Sequence, residues 1–172
     1  MKPERPAAAG HFSRSAIGER LGGFIYGTLI VLAVVVAGAR AYPHDAGRIA
    51  ALVVVTSVVF WVAHVYAHAL AHSVAHDEHL SLAEVRYVAR REASILEAAV
   101  PPLAALLLGA FGVLSTKTAV WVAFGLGLVV LAVEGVTYAR VERLGWLGTL
   151  VVLGANVGLG LALVAVKVFL TH

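Results

Sequence analysis

The stretch AHVYAHALAHSVAHDEH, residues 63–79, places histidines at four-residue intervals: His64, His68, His72 and His76. On an α-helix a step of four residues advances about 6 Å and turns about 40° beyond one full turn, so these side chains form one gently spiralling row. We call this row the histidine stripe. Histidine titrates near neutral pH and is a common metal ligand, so the row predicts either proton or cation movement or metal binding.

The composition indicates an integral membrane protein. Of the 172 residues, 60% are hydrophobic and only 13% are charged, and the mean hydropathy is +0.90. Soluble domains are about half apolar and about a quarter charged. The chain has no cysteine, which excludes disulfides, thiolate metal sites and cysteine-ligated iron–sulfur clusters. No basic face is interleaved with aromatic residues, so we expect no nucleic-acid partner.

Five apolar runs predict an all-helical membrane domain, residues 21–172, after a polar cytoplasmic tail, residues 1–20. A hydrocarbon core of about 30 Å needs about 20 helical residues, and each run is long enough. The predicted spans are residues 21–39, 49–70 with a helical extension to 79, 95–114, 118–138 and 145–170. Ala39 or Ala41 also fits a signal-peptide cleavage site, although the length of the first apolar run and its polar leader favour a retained span.

The distribution of positive charge predicts the orientation of the five spans. With the N-terminus inside and the C-terminus outside, nine lysines and arginines fall in cytoplasmic segments and four fall on the outer side. Positive charge is enriched on the cytoplasmic side of membrane proteins. We therefore expect a multi-pass protein of a bacterial-type plasma membrane in this orientation.

A short amphipathic helix is predicted between spans two and three. Ser81 and Glu84 match a capping box, the pattern in which each side chain accepts from a backbone donor at a helix start. The following residues mix apolar and basic side chains, as in helices that lie on a membrane surface. We expect Arg86, Arg90 and Arg91 to bind lipid headgroup phosphates on the cytoplasmic side.

Most polar residues of the predicted spans fall in the same half of the membrane as the histidine stripe. Ionisable residues within spans usually face a cavity or a partner. We therefore expect a histidine-rich polar cavity that faces the cytoplasm and serves a proton or cation channel or transporter. The candidate pathway residues are His64, His68, His72, Glu134, Glu97, Asn156 and Tyr26.

A divalent metal site is an open alternative, because two histidines four residues apart on one helix can share a metal ion. The candidate ligands are His68, His72, His76, His79, Asp77 and Glu78. A structural or accessory membrane subunit is the other alternative, with histidines that only hydrogen-bond in the bundle or meet water. We expect no haem, since the remaining histidines lie in a tail or loops, and no enzymatic activity, since no catalytic motif is present.

Pro101 and Pro102 remove the helix hydrogen bonds to the carbonyls of Glu97 and Ala98. Free carbonyls of this kind coordinate cations in broken transporter helices. The alternative interpretation is that the prolines mark the first turn of span three, where a missing donor costs nothing.

Glycine pairs at four-residue spacing predict close contact between helices, either within the chain or between copies of it. Gly23 and Gly27 form one pair in span one, and Gly154 and Gly158 form another in span five. We expect the partners of this protein to be the lipid bilayer and further copies of the chain. An accessory role would add another membrane protein as a partner.

Spans one and two resemble a known channel family. The segment RLGGFIYG, residues 20–27, resembles the R-x-x-x-F-S-D signature of the bacterial and lysosomal potassium channel family, although the Ser and Asp are absent. The segment FWVAH, residues 60–64, is similar to that family's aromatic-Trp-x-x-His pattern. The resemblance implies an oligomeric cation channel in which span one lines the pore and Arg20, Trp61 and His64 brace it. The family unit has six spans, and this chain has five predicted spans.

Overall fold

The computed structural model describes the backbone of residues 8–76 and 81–171. These residues form six α-helices and no strand. The helices are α1 (Ala8–Ala41), α2 (Ala46–His76), α3 (Leu82–Arg91), α4 (Ser94–Ala110), α5 (Thr116–Val141) and α6 (Trp146–Thr171). The predicted all-helical class is confirmed, and a helix is the element that satisfies its own backbone in lipid.

Four segments are long and apolar enough to cross a membrane: Ile17–Ala41, Ala46–Ala71, Thr116–Val141 and Trp146–Val166. The fifth candidate is a bent pair rather than one straight helix. Val85–Arg91 of α3 and Ser94–Ala110 of α4 meet at an angle of 41° across a two-residue break. The chain therefore has four candidate spans, or five if the bent pair counts as one.

Two predicted boundaries differ from the structure. Helix α1 begins at Ala8, so residues 8–20, which were expected to belong to a polar tail, are helical. The prolines of this segment, Pro3 and Pro6, both precede Ala8 and do not interrupt the helix. Helix α4 ends at Ala110 rather than at residue 114. Gly112 adopts a φ of 78°, the left-handed conformation that ends helices, and the Val113 amide donates to the carbonyl of Leu108.

The interpretation of Pro101 and Pro102 as first-turn residues is wrong. Helix α4 begins at Ser94, which places both prolines in the helix interior, and Pro102 is completely buried. The carbonyls of Glu97 and Ala98 therefore lie within the helix and lack the donor four residues later.

Helix α1 lies at the centre of the bundle and packs against α2, α4, α5 and α6. Its closest approach is to α4, at the first of the predicted glycine pairs. A Cβ atom on Gly27 would lie 2.9 Å from the Ile95 carbonyl oxygen, and a Cβ on Gly23 would meet the Ser94 hydroxyl. Around Gly154 and Gly158, by contrast, no described atom lies within 4 Å of a Cβ position.

The outer surface of the bundle is apolar. On α2, large aliphatic side chains are exposed over successive turns: Val54, Val55, Val58, Val59 and Val62. A soluble protein rarely exposes a contiguous apolar surface of this extent. Exposed apolar helices of spanning length are compatible with a multi-pass membrane protein, whose lipid-facing side chains contact acyl chains.

Candidate functional site

Charged and titratable residues gather at one end of the bundle, which we call the polar end. It contains the start of the α1 span, the end of α2, the break between α3 and α4, and the end of α5. Two ion pairs and one histidine–carboxylate contact join α1, α2 and the segment around the break. Arg20 lies 2.7 Å from Glu97, Arg91 lies 2.6 Å from Glu19, and His68 Nδ1 lies 3.3 Å from Glu92 Oε1.

Four side chains touch in sequence along the bundle, starting at the polar end, and we call them the contact row. Glu92 contacts His68, whose ring centroid lies 6.0 Å from that of His64. The His64 ring in turn lies 5.1 Å from the ring of Tyr26 on α1. The row thus brings together three of the predicted pathway residues and adds one that was not predicted.

Glu92 is that addition, and it is buried, with 8% of its surface exposed. In the sequence it stands beside two arginines in a polar segment, which is typical of a solvated surface. The structure places it in the break between the two helices, where the Glu92 amide donates to the Val88 carbonyl and the Ile95 amide donates to the Glu92 carbonyl. Only the packing of α2 against this break brings His68 to its carboxylate.

A cavity of about 210 Å³ lies beside the contact row. Its walls are formed by two glycines of α1 and by six larger side chains: Glu19, Tyr26, His64, His68, Arg91 and Glu92. A cavity of this size and polarity holds several water molecules or a hydrated ion. Glu19 was missed in the sequence for the same reason as Glu92, because it lies in a polar segment before the apolar run.

Glu97 and Glu134 lie outside this cavity, although both were predicted to belong to the pathway. The Glu97 carboxylate accepts a hydrogen bond from the Arg20 guanidinium, and Arg20 also interacts electrostatically with Glu134. One arginine of α1 is therefore shared by acidic residues of α4 and α5.

Asn156 does not reach the histidines. It is 8% exposed, and its Nδ2 donates to the Leu131 carbonyl at 3.4 Å, in the contact between α5 and α6. That His64, Glu134 and Asn156 share one polar space stays a prediction. Asn156 joins two neighbouring helices, because an amide buried among apolar side chains bonds to the nearest backbone acceptor.

A second cavity, of about 410 Å³, lies at the opposite end of the bundle. Its polar lining includes His44, Ser115 and Lys117, next to the apolar Ile49 and Val120. Sequence reasoning missed it because the two loops that form it are far apart in the chain. Fully buried apolar side chains occupy the bundle core between the two ends: Leu32, Val35, Leu106 and Phe124.

The outer part of the histidine stripe is described only in its backbone. His72 and His76 lie on α2, and Asp77, Glu78 and His79 fall outside the described residues. Within the described part of the chain, no three histidine or carboxylate side chains are grouped so that they could hold a metal ion.

The three arginines predicted to bind lipid headgroups have different surroundings. Arg86 and Arg90 are exposed on α3. Arg91 is paired with Glu19 and lines the polar cavity, so its guanidinium already has an anionic partner within the protein.

Trp61 connects α2 to α3. Its indole Nε1 donates a hydrogen bond of 3.0 Å to the Ala89 carbonyl, 28 residues later in the chain. Ala89 lies three residues before Glu92, so this bond holds the segment that presents the carboxylate to His68.

Replacing Trp61 with Phe removes this hydrogen bond and keeps an aromatic ring. We expect a loss of about 1 kcal/mol in the stability of the α2–α3 contact and faster backbone hydrogen exchange in residues 82–91. Trp146→Phe is the matched control, since Trp146 is 72% exposed. Equal exchange in residues 82–91 for the two variants would show that the bond does not hold α3 in place.

Comparison of the chain with protein-family models, with curated proteins and with solved structures finds no match.

Proposed function

We propose that this protein moves protons or small cations across a bacterial-type plasma membrane. The observation that supports the proposal best is the contact row, Glu92, His68, His64 and Tyr26, which leads from the polar end into a membrane-spanning segment beside a polar cavity. The resemblance to a potassium channel family points in the same direction, and it stays a prediction.

Histidine suits this role because one ring nitrogen can accept a proton while the other donates one. His68 lies between a carboxylate and a second histidine, so its ring has an acidic partner on one side and a proton acceptor on the other. The carboxylate also orients the ring. A proton that reaches Glu92 from water would pass through His68 to His64.

The charged side chains that line the cavity favour cations over anions. Two carboxylates line it, on Glu19 and Glu92, and one guanidinium, on Arg91. An excess of negative charge beside low-dielectric walls raises the local concentration of cations. The apolar core between the two cavities would act as the closed gate, as hydrophobic constrictions do in channels.

The excess of lysine and arginine in the segments at this end supports its placement on the cytoplasmic side, by the positive-inside rule. Helix α3 would then lie at the inner interface, where Arg86 and Arg90 are free to contact lipid phosphate.

An accessory role without transport is the second candidate, and the limited burial of α6 favours it. Only 11% of the α6 spanning window is buried within the chain, compared with 44% for α1. A helix with so much of its surface exposed can pack its apolar face against a second copy or another membrane protein.

Flux through the purified protein in liposomes tests the transport proposal. We expect wild-type protein to conduct protons or alkali cations with a rate that changes over about pH 5.5 to 8, where histidine titrates. The double variant His64→Ala/His68→Ala should fall to the level of empty liposomes, because the row loses both of its rings. His44→Ala, which changes a histidine at the opposite end, should keep the rate.

Two results would contradict the proposal. One is folded wild-type protein that conducts no more than empty liposomes. The other is a double variant that conducts as well as the wild type does. In either case the histidines have a packing role, and the accessory candidate gains support.

Single cysteines test the orientation, because the chain has none of its own. Lys117→Cys and Glu142→Cys both change exposed residues, at the two ends of α5. In intact bacterial cells we expect a membrane-impermeant maleimide to label Lys117→Cys at once and Glu142→Cys only after permeabilisation. The reverse pattern would put the polar end outside the cell.

A further inference from the structure

Two carbonyl groups of α4, one of them on a fully buried residue, lack their helical donors. Pro101 and Pro102 have no amide hydrogen, so the carbonyls of Glu97 and Ala98 receive no bond from four residues later. Ala98 is 0% exposed. A buried carbonyl without a donor costs free energy unless another partner occupies its lone pairs.

A buried hydroxyl on the neighbouring helix is also without a partner. Ser57 of α2 is 4% exposed, and its Oγ has no hydrogen-bond partner in the described part of the protein. A serine inside a helix commonly bonds to the carbonyl four residues earlier. Ser57 does not, and its hydroxyl lone pairs remain open inside the bundle.

The register of the two helices puts these groups at one level. A Cβ on Gly109 of α4 would lie 2.9 Å from the Cβ of Ala46 on α2, which fixes one contact point. From that contact, Ser57 lies eleven residues along α2, and Ala98 lies eleven residues back along α4. Eleven residues rise about 16.5 Å and return to within about 20° of the same helix face.

The opposite ends of the same two segments also meet, since His68 of α2 contacts Glu92 just before α4. The helices therefore stay adjacent and antiparallel over the whole distance between the two contacts. Ser57 and Ala98 lie between them, where α1 packs against both helices, and the Ala98 Cβ faces Gly27 of α1.

We propose that the Ser57 hydroxyl and the carbonyls of Glu97 and Ala98 bind a monovalent alkali cation, Na⁺ or K⁺. Neutral oxygens of hydroxyl and carbonyl groups are hard ligands, and carbonyls of interrupted helices coordinate such ions in transporters. Ser57 lies two helical turns deeper than His64 on the same face of α2, so the site continues the contact row towards the membrane centre. A role of this site in transport rests on the proposed function. Cation binding at the site does not.

Cation-dependent thermal stability tests the site without any flux. The melting temperature of the purified protein is measured in rising NaCl or KCl, with choline chloride keeping the ionic strength constant. We expect a saturable rise with at least one alkali cation, because binding to the folded state stabilises it. Ser57→Ala should need about tenfold more cation or more for the same rise, as for a lost hydrogen bond to a charged group.

Two further variants separate cation binding from a general packing effect. Pro101→Ala/Pro102→Ala restores the amide donors, so we expect the cation response to disappear while the melting temperature in choline stays equal or higher. Ser94→Ala is the matched control. It removes another buried hydroxyl without a partner among the described residues, and it should keep the wild-type response.

The site is wrong if Na⁺ and K⁺ stabilise the wild type no more than choline does. It is also wrong if Ser57→Ala and the double proline variant respond as the wild type does. A cation response that depends on Ser57 in a protein without flux would keep the binding site and reject transport. Flux without a cation response would keep transport and reject the binding site.

Discussion

Contact between the backbones of α1 and α4 determines where the polar residues of this protein lie. At Gly27 even a methyl group would meet the Ile95 carbonyl oxygen at 2.9 Å, so the two helices pack as closely as glycine allows. This approach brings Arg20 of α1 within 2.7 Å of Glu97 of α4. It also sets the helix break beside α1, where α2 adds its histidines. The polar cavity is the space that remains where these three elements meet.

The exposed ion pairs at the polar end contribute little to stability. The side chains of Arg20 and Glu97 are 63% and 46% exposed, and pairs exposed to water contribute about 1 kcal/mol or less. Glu92 differs, because a carboxylate buried against a histidine must have a partner to remain there. The bundle is therefore held together by apolar packing around Leu32 and Phe124. The exposed charges at the polar end are not needed for that packing.

Hydropathy and helical period were enough to predict the helical class and four of the candidate spans, whereas the third predicted span is part of a bent pair of helices. They were not enough to predict Glu92, because nothing local separates a buried carboxylate in a helix break from a solvated one. The end of α4 was placed too late, since Val113 and Leu114 continue the apolar run beyond Gly112, the glycine that ends the helix. The acceptor of the Asn156 amide was not predicted, because depth in the membrane does not give the direction of a side chain. Such features depend on how the helices pack, which a single sequence does not state.

Disulfide formation between engineered cysteines tests the α1–α4 contact most directly. A Cβ on Gly27 would lie 3.1 Å from the Cβ of Ala98, so a slight separation gives the distance that a disulfide requires. We predict that Gly27→Cys/Ala98→Cys cross-links in native membranes, as shown by mass spectrometry after digestion. The control pair Gly27→Cys/Leu103→Cys should not, because Leu103 lies about 7.5 Å further along α4 and on another face. Cross-linking of the control pair, with none at Ala98, would contradict the register from which the polar end and its cavity follow.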